Sequence, residues 1–332
     1  MAIQNIYYLL TSSRSFCIYI VFTLNAIYYV SQAGLNPLQL VLLGTIMELA
    51  ILFFEIPTGL VADFFGRKKS FIFGTFLIGV AHLLEGSLPT FWAIAVAAAL
   101  WGIGWTFISG AETAWIADEI ENNELDTVLL KGAKFASVGS FLGIIVSVII
   151  AMVFSVQIAI LIAGGLLVFI ALISIKLVRE KKFKSIAREQ ASSIGQMAWA
   201  FKGGLSQIKG NSILIGLALI TIFVGLASEG FDRLWGAHFI EGFQLNEADA
   251  IYWFGAFYAI AFLLNIGLLK VVETYVKERF ASVLFVFNSL LVVLMMVFAM
   301  SNVFLLAAIM YWVIASLRAV NSPLMSIMTN KQ

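Results

Sequence analysis

Apolar residues run through this chain in long blocks, separated by short polar clusters that carry Pro, Gly, Asn and charges. A helix rises 1.5 Å per residue, so a hydrocarbon layer roughly 30 Å thick needs about 20 apolar residues in succession. Runs of that length predict ten membrane-spanning helices, at about 14–33, 38–58, 70–87, 90–111, 134–154, 157–177, 211–233, 248–269, 280–300 and 303–321. The run from Phe141 to Ile175 is long enough for two spans, and its most polar point, Ser155-Val156-Gln157, is the predicted turn between them. The amino-terminal stretch has no basic n-region and leads straight into a second apolar run, so it reads as a span and not as a cleavable signal peptide.

Composition narrows the classes further. Of the 332 residues 61% are apolar and 12% charged, against roughly 45–50% and 25% in soluble domains. That excess cannot be hidden in one water-soluble core, which excludes a soluble globular enzyme and a disordered chain. A net charge of +1 gives no bulk attraction for nucleic acid. The single cysteine, Cys17, excludes an intramolecular disulfide framework and a cysteine zinc site, and His82 and His238 are too far apart in sequence for a spaced metal motif. No Walker, G-x-S-G or H-E-x-x-H pattern occurs, so the chain is read as no enzyme, with no catalytic residue, metal or cofactor.

Alternating the ten spans with the amino terminus inside places 19 of the 20 Lys and Arg residues on inner segments or inner span ends, with only Arg233 outside. This positive-inside bias predicts a multi-pass protein of the plasma membrane with both termini cytoplasmic. A basic polar stretch at 179–210 divides six spans from four. Ile194, Met197, Phe201, Leu205 and Ile208 lie in it at helical spacing, as in an amphipathic helix on the inner leaflet. The expected domains are therefore an amino-terminal six-helix bundle (1–178), this linker (179–210) and a four-helix carboxy-terminal bundle (211–332). The two bundles echo each other: Leu35-Asn36-Pro37 opens span 2 and Leu245-Asn246-Glu247 opens span 8, each with Asn as helix N-cap, and Gly59 and Gly267 lie near the inner ends. Such internal repetition marks transporter folds. A repeat of six predicts twelve spans, and Arg318–Leu324 resembles a transition toward an eleventh, so the chain is expected to be cut short at its carboxy terminus.

At the inner end of span 2 the chain reads Gly59-Leu60-Val61-Ala62-Asp63-Phe64-Phe65-Gly66-Arg67-Lys68-Lys69. This G-x-x-x-D-x-x-G-R-K resembles the loop 2–3 signature of the major facilitator superfamily, with Phe64 where that family usually has Arg or Lys. The resemblance implies an all-α fold of two pseudo-symmetric bundles, and a conformational latch built from Gly59, Asp63, Gly66, Arg67 and Lys68. On physical grounds Gly59 and Gly66 allow close approach, Asp63 can cap or pair with Arg67, and Lys68 and Lys69 can sit at an anionic membrane surface. Glu48 with Glu55-Ile56-Pro57-Thr58-Gly59, and Ser228 to Trp235 in span 7, are similar to the macrolide- and tetracycline-type drug-efflux branch. Gly139 and Gly143 in span 5, a small-xxx-small pair, suit close helix packing.

Ionisable groups inside a membrane are costly and each needs a reason. Glu48 lies near the predicted midplane and is the first candidate for a proton or cation site. Glu229, Asp232 and Arg233 form a charged group expected near the outer end of span 7, with Glu229 and Arg233 paired at i, i+4. Trp101, Trp105, Ser109 and Glu112 share one helical face. The resemblance implies that spans 1, 4, 7 and 10 line a central cavity, so Trp101, Trp105 and Glu112, with Asn25, Tyr28, Tyr29, Tyr311 and Trp312, are the candidate substrate wall. The acidic residues of loop 4–5, among them Asp118 and Glu119, are candidates to pair with the basic loop 2–3. His82 and Glu85, three apart, are placed to hydrogen-bond each other. The expected function is secondary active transport by alternating access: efflux of small amphiphilic drugs or metabolites, coupled to a proton gradient, with a small-molecule substrate, the bilayer and a coupling ion as partners. The alternative is a non-transporting remnant, scaffold or receptor of the same fold.

Overall fold

The computed structural model describes residues 2–121, 124–183, 212–275 and 280–330, and the regular structure there is helical throughout. Helix α1 (Ile3–Ile27) continues into a π-helical turn, Tyr28–Gln32. There follow α2 (Pro37–Phe65), α3 (Arg67–Ser87), α4 (Phe91–Ile108), α5 (Ala111–Glu119), α6 (Leu125–Val153), α7 (Val156–Leu177), α8 (Ser212–Gly242), α9 (Glu247–Tyr275), α10 (Phe280–Met300) and α11 (Phe304–Asn330). Among the described residues seven helices are long and apolar enough to cross a membrane, and two shorter apolar helices lie at Phe285–Met300 and Phe304–Ala319.

Each of the ten predicted spans falls on a helix, and the local signals act as expected. Asn36 caps α2 in a reciprocal capping box: its Oδ1 accepts from the Gln39 amide, and the Gln39 side chain accepts from the Asn36 amide, both at 3.0 Å. Pro37 takes the first helical position. Ser155 caps α7 by accepting from the Ile158 amide at 3.1 Å, so the turn splits the Phe141–Ile175 run at the predicted place. The amphipathic helix expected in the 179–210 linker lies, from residue 184 on, outside the described residues.

Six helices outrun their predicted spans by six residues or more, among them α2 and α9, which run on to Phe65 and Tyr275. α1 begins at Ile3, α6 at Leu125, and α8 and α11 run on to Gly242 and Asn330. The predicted first and seventh spans end at charges, Arg14 and Arg233. The structure continues through Arg14, Arg233 and Arg318, because each of these has a partner inside the protein. Arg14, Arg233 and Arg318, all at or near predicted span ends, thus lie well within their helices. Span 4 differs in the other direction. Gly110, at φ +73°, breaks the predicted single helix, and α5 leaves on a new axis.

The chain divides into two compact units, Met1–Ala187 with Glu247–Gly255, and Arg188–Asn246 with Ala256–Gln332. In the first unit α1 packs along α6, α3 lies between α4 and α7, and α2 packs on α4. Small residues make this possible. A side chain at Gly139 or Gly143 would run into the backbone carbonyls of Ser12 or Phe16 on α1, so the span 5 glycines do serve close packing. Gly74 abuts Gly104 of α4, and Gly79 abuts Gly164 of α7. Lipid gives helices no hydrophobic reason to associate, so close van der Waals contact at such residues does that work. The second unit is held differently. Trp235 and Phe239 of α8, Phe257 of α9, Phe298 of α10 and Tyr311 of α11 bury their rings in one aromatic core.

Candidate functional site

In the first unit the indoles of Trp101 and Trp105 stack at 5.6 Å with an interplanar angle of 5°. They lie one turn apart on α4, which is why the rings can overlap. Phe22 of α1 lies 5.7 Å from Trp101. Phe22, Asn25 and Tyr29 are each half-buried and follow at i, i+3 and i+7, which puts them on one side of α1 and its π-turn. Trp105 is 38% exposed. Asn25 Oδ1 and Trp101 Nε1 are buried with no hydrogen-bond partner among the described residues. The result is a half-open aromatic face edged by unused polar atoms.

Two wall candidates of the first unit, Tyr28 and Glu112, are not on this face. Tyr28 is fully buried, and its hydroxyl donates to the backbone carbonyl of Glu85. Glu112 does not continue the Trp101–Trp105 face, because the break at Ser109–Gly110 moves it onto α5. There it is buried in a bidentate pair with Arg14, whose Nη1 donates to Oε1 at 2.9 Å and whose Nη2 donates to Oε2. Tyr311, in the second unit, is buried against Trp235 at 4.4 Å as part of the aromatic core, while Trp312 is half-buried with its ring 5.8 Å from Phe257. Glu48 is exposed on α2, eleven residues past Pro37.

The charged group of α8 is assembled otherwise than expected. Arg233 Nε and Nη2 both donate to Glu229 Oε2 at 3.3 Å, the i, i+4 pair read from sequence. Asp232, however, accepts two bonds of 2.6 Å from the Arg318 guanidinium of α11. Asp232 precedes the end of α8 by ten residues and Arg318 follows the start of α11 by fourteen. At 1.5 Å per residue that is about 15 and 21 Å from those helix ends. Arg318 also lies over the Phe231 ring, 5.5 Å from its centroid. The Asp232 side chain remains 44% exposed.

The loop between α2 and α3 is held by three other segments. Gly66 has φ +109°, a backbone conformation that favours glycine, and the space beside it is filled by the Glu180 carboxylate. Glu180 Oε1 accepts from the amides of Arg67 at 2.9 Å and Lys68 at 3.1 Å, capping the free N–H groups of α3 from beyond the end of α7. The Arg67 guanidinium pairs with Asp118 of α5 and donates to the Ala114 carbonyl at 2.8 Å. Lys68 Nζ donates to the Ile175 carbonyl at 2.9 Å near the end of α7, and Glu119 Oε1 accepts from the amides of Lys181 and Lys182. Two expectations change here. Arg67 does not pair with Asp63, which has no partner among the described residues, because Asp118 is the carboxylate its side chain reaches. Gly59 is exposed, and a side chain there would meet nothing within 4 Å among the described residues, so it marks no close approach.

The family profile of the Major Facilitator Superfamily matches residues 7–331. The chain belongs to this superfamily. Two uncharacterized transporters of Buchnera aphidicola are 33% identical to it: one from subsp. Acyrthosiphon pisum over 95 residues, 28% of this chain and 23% of that protein, and one from subsp. Schizaphis graminum over 84 residues, 25% and 21%. The chain thus spans under a quarter of the length of these curated relatives. Among solved structures it resembles the nucleoside transporter NupG in mutant form (TM-score 0.77, 13% identity, 99% of this chain and 83% of that one). It also resembles an inward-facing bacterial homolog of the human lysosomal transporter Spinster (0.72, 14%, 98% and 74%) and a D-xylose–proton symporter (0.65, 12%, 97% and 82%). At these identities the likeness is one of fold.

The superfamily signature points to the α2–α3 loop but not to what holds it. Sequence reasoning misses Glu180 because it sits in a basic stretch; a lone acid among Lys176, Arg179, Lys181 and Lys182 is the available signal. It misses Phe22 as well, although that ring lies one turn before Asn25. The Arg14–Glu112 and Asp232–Arg318 pairs give no local signal, because their partners are 98 and 86 residues apart.

Proposed function

We propose that this chain is a secondary active transporter that works by alternating access and exports small, flat amphiphiles across the plasma membrane in exchange for protons entering down their gradient, with both termini in the cytoplasm. The observation that carries the substrate class is the half-open face of Phe22, Asn25, Tyr29, Trp101 and Trp105. Two parallel indoles offer a π-surface for a planar apolar or cationic solute. The coupling proton is assigned to carboxyls that lie within helices and remain accessible, Glu48 on α2 and Asp232 on α8. Protonating Asp232 would remove the charge that holds Arg318, which gives a proton a mechanical consequence in the second unit.

The test uses ethidium, a planar aromatic cation, with the purified chain in lipid and in energised everted vesicles. Trp101→Ala and Trp105→Ala are each expected to weaken ethidium binding about tenfold, which corresponds to about 1.4 kcal/mol. Glu48→Gln or Asp232→Asn is expected to leave binding and abolish the pH dependence of transport. Unchanged binding in both tryptophan variants disposes of the wall, and binding without transport by the unaltered chain favours the scaffold or receptor reading.

A further inference from the structure

Near the outer predicted end of α3 lies a buried pair, His82 and Glu85, that the transport reading above does not use. His82 is 2% and Glu85 4% exposed, and His82 Nδ1 lies 2.6 Å from Glu85 Oε1. The Tyr29 hydroxyl donates to Glu85 Oε2 at 2.8 Å, and the Tyr28 hydroxyl donates to the Glu85 carbonyl. The other ring nitrogen, His82 Nε2, is buried with no partner among the described residues. Both tyrosines belong to the π-helical turn Tyr28–Gln32. In a regular helix adjacent side chains diverge, and here the widened turn directs both hydroxyls at one residue of α3; such turns occur often at functional sites.

We propose that His82 and Glu85 form a one-proton binding site in the first unit, connected to the aromatic face through Tyr29. Counting donors and acceptors locates the exchangeable proton. Glu85 accepts from Tyr29 at one oxygen and shares one proton with Nδ1 at the other. With that proton alone the pair carries a net charge of −1 and Nε2 is bare. A second proton makes the pair neutral, and Nε2 then bears hydrogen whether the shared proton sits on Nδ1 or on Glu85. The proton that comes and goes is therefore the one on Nε2. No other charge among the described residues compensates it. From the π-turn the titratable groups facing the pair are Tyr28 and Tyr29. α4 contains no ionisable residue, the only one on α7 is Lys176 at the opposite end, and the α2 carboxyl nearest in height, Glu48, is exposed. A dry, packed pocket tolerates the neutral pair far better than the anionic one. Release of the proton thus goes together with opening of the cluster to water, which is the property a coupling site needs. Tyr29 is half-buried on the Phe22–Asn25–Tyr29 face while its hydroxyl holds Glu85, so a solute on that face and a proton on the pair act on the same side chain.

This inference deepens the proton-coupled reading by adding a site to it, and its first test needs no transport. The chain has two histidines, so His238→Gln leaves His82 as the sole histidine signal. In the full chain in lipid nanodiscs, labelled with 15N-histidine, the Nε2 resonance is followed by NMR from about pH 5 to about pH 9, the range in which histidine exchanges its proton. The expected result is a one-proton change at Nε2 while Nδ1 stays in its shared hydrogen bond. Glu85→Gln, whose neutral amide can accept from Nδ1 or donate to it, should abolish the pH-dependent change at Nε2. Tyr29→Phe, which loses one hydroxyl and keeps the ring, should displace the midpoint by about half a pH unit or more. An Nε2 signal that never changes overturns the proposal, as does a titration unaltered by both substitutions. In everted vesicles His82→Asn and Glu85→Gln should slow ethidium movement driven by a pH gradient while ethidium binding stays within about twofold. If Nε2 titrates as expected and the unaltered chain moves no ethidium, the export reading fails and the proton site stands.

Discussion

Arg14 and Glu112 show how much a single pairing decides at the residue scale. Each is close to fully buried, and each is tolerable inside a membrane protein only because the other neutralises it with two hydrogen bonds. Removing one partner strands the other. Glu112→Gln should destabilise the protein by about 3–5 kcal/mol, whereas Arg14→Met with Glu112→Leu should recover most of that loss, because apolar replacement removes both desolvation penalties. Denaturant unfolding of the purified chain measures both, and equal losses in the single and double variants would contradict the account. The Asp232–Arg318 pair is more exposed on the aspartate side, so Asp232→Asn should cost clearly less stability than Glu112→Gln while having the larger effect on pH-dependent transport. None of these pairings is visible locally in the sequence, which shows only isolated charges in apolar runs.

At the scale of elements, the loop between α2 and α3 is an assembly of helix ends. The α3 amides would otherwise be unsatisfied at its start; Glu180 supplies the acceptor, Asp118 and Ala114 take the Arg67 side chain, and Lys68 caps a carbonyl near the end of α7. Replacing a capping acceptor costs about 1 kcal/mol. Glu180→Ala should therefore lower the thermal unfolding midpoint in detergent measurably, and Glu121→Ala, an exposed acid of the neighbouring loop, should not; equal midpoints in the two would remove Glu180 from this role. The two units also share an element-level habit. Each ties its first span to its fourth by an arginine–carboxylate pair, Arg14 to Glu112 in one and Asp232 to Arg318 in the other, with the signs exchanged. The pairs are not in register: aligning Asn36 with Asn246 would set Asp232 against Phe22 and not against Arg14. The repeat predicts the helices and the Asn36 cap correctly, and leaves the charges free to differ.

For the whole molecule the testable statement is topology. Cys17, the one cysteine, is 1% exposed, so the unaltered chain should resist maleimide. A cysteine at exposed Leu88, between α3 and α4, should react with a membrane-impermeant maleimide in intact cells. One at Lys69, in the first turn of α3, should react only after permeabilisation. Labelling at Lys69 from outside would invert the proposed orientation. The sequence by itself determined the helical class, the approximate places of the spans and the Asn36 cap, because hydropathy, helix rise and capping are properties of a few neighbouring residues. It also identified the superfamily loop. The tertiary structure alone decided where the charges go: that Arg14 pairs with Glu112 and Arg318 with Asp232, that Arg67 answers to Asp118, that Glu112 leaves the tryptophan face, and that His82, Glu85, Tyr28 and Tyr29 meet. The physical reason is the same in each case. A charge in an apolar run is too costly alone and acceptable once paired, and the partner is chosen by packing between helices far apart in the chain, which no local pattern records.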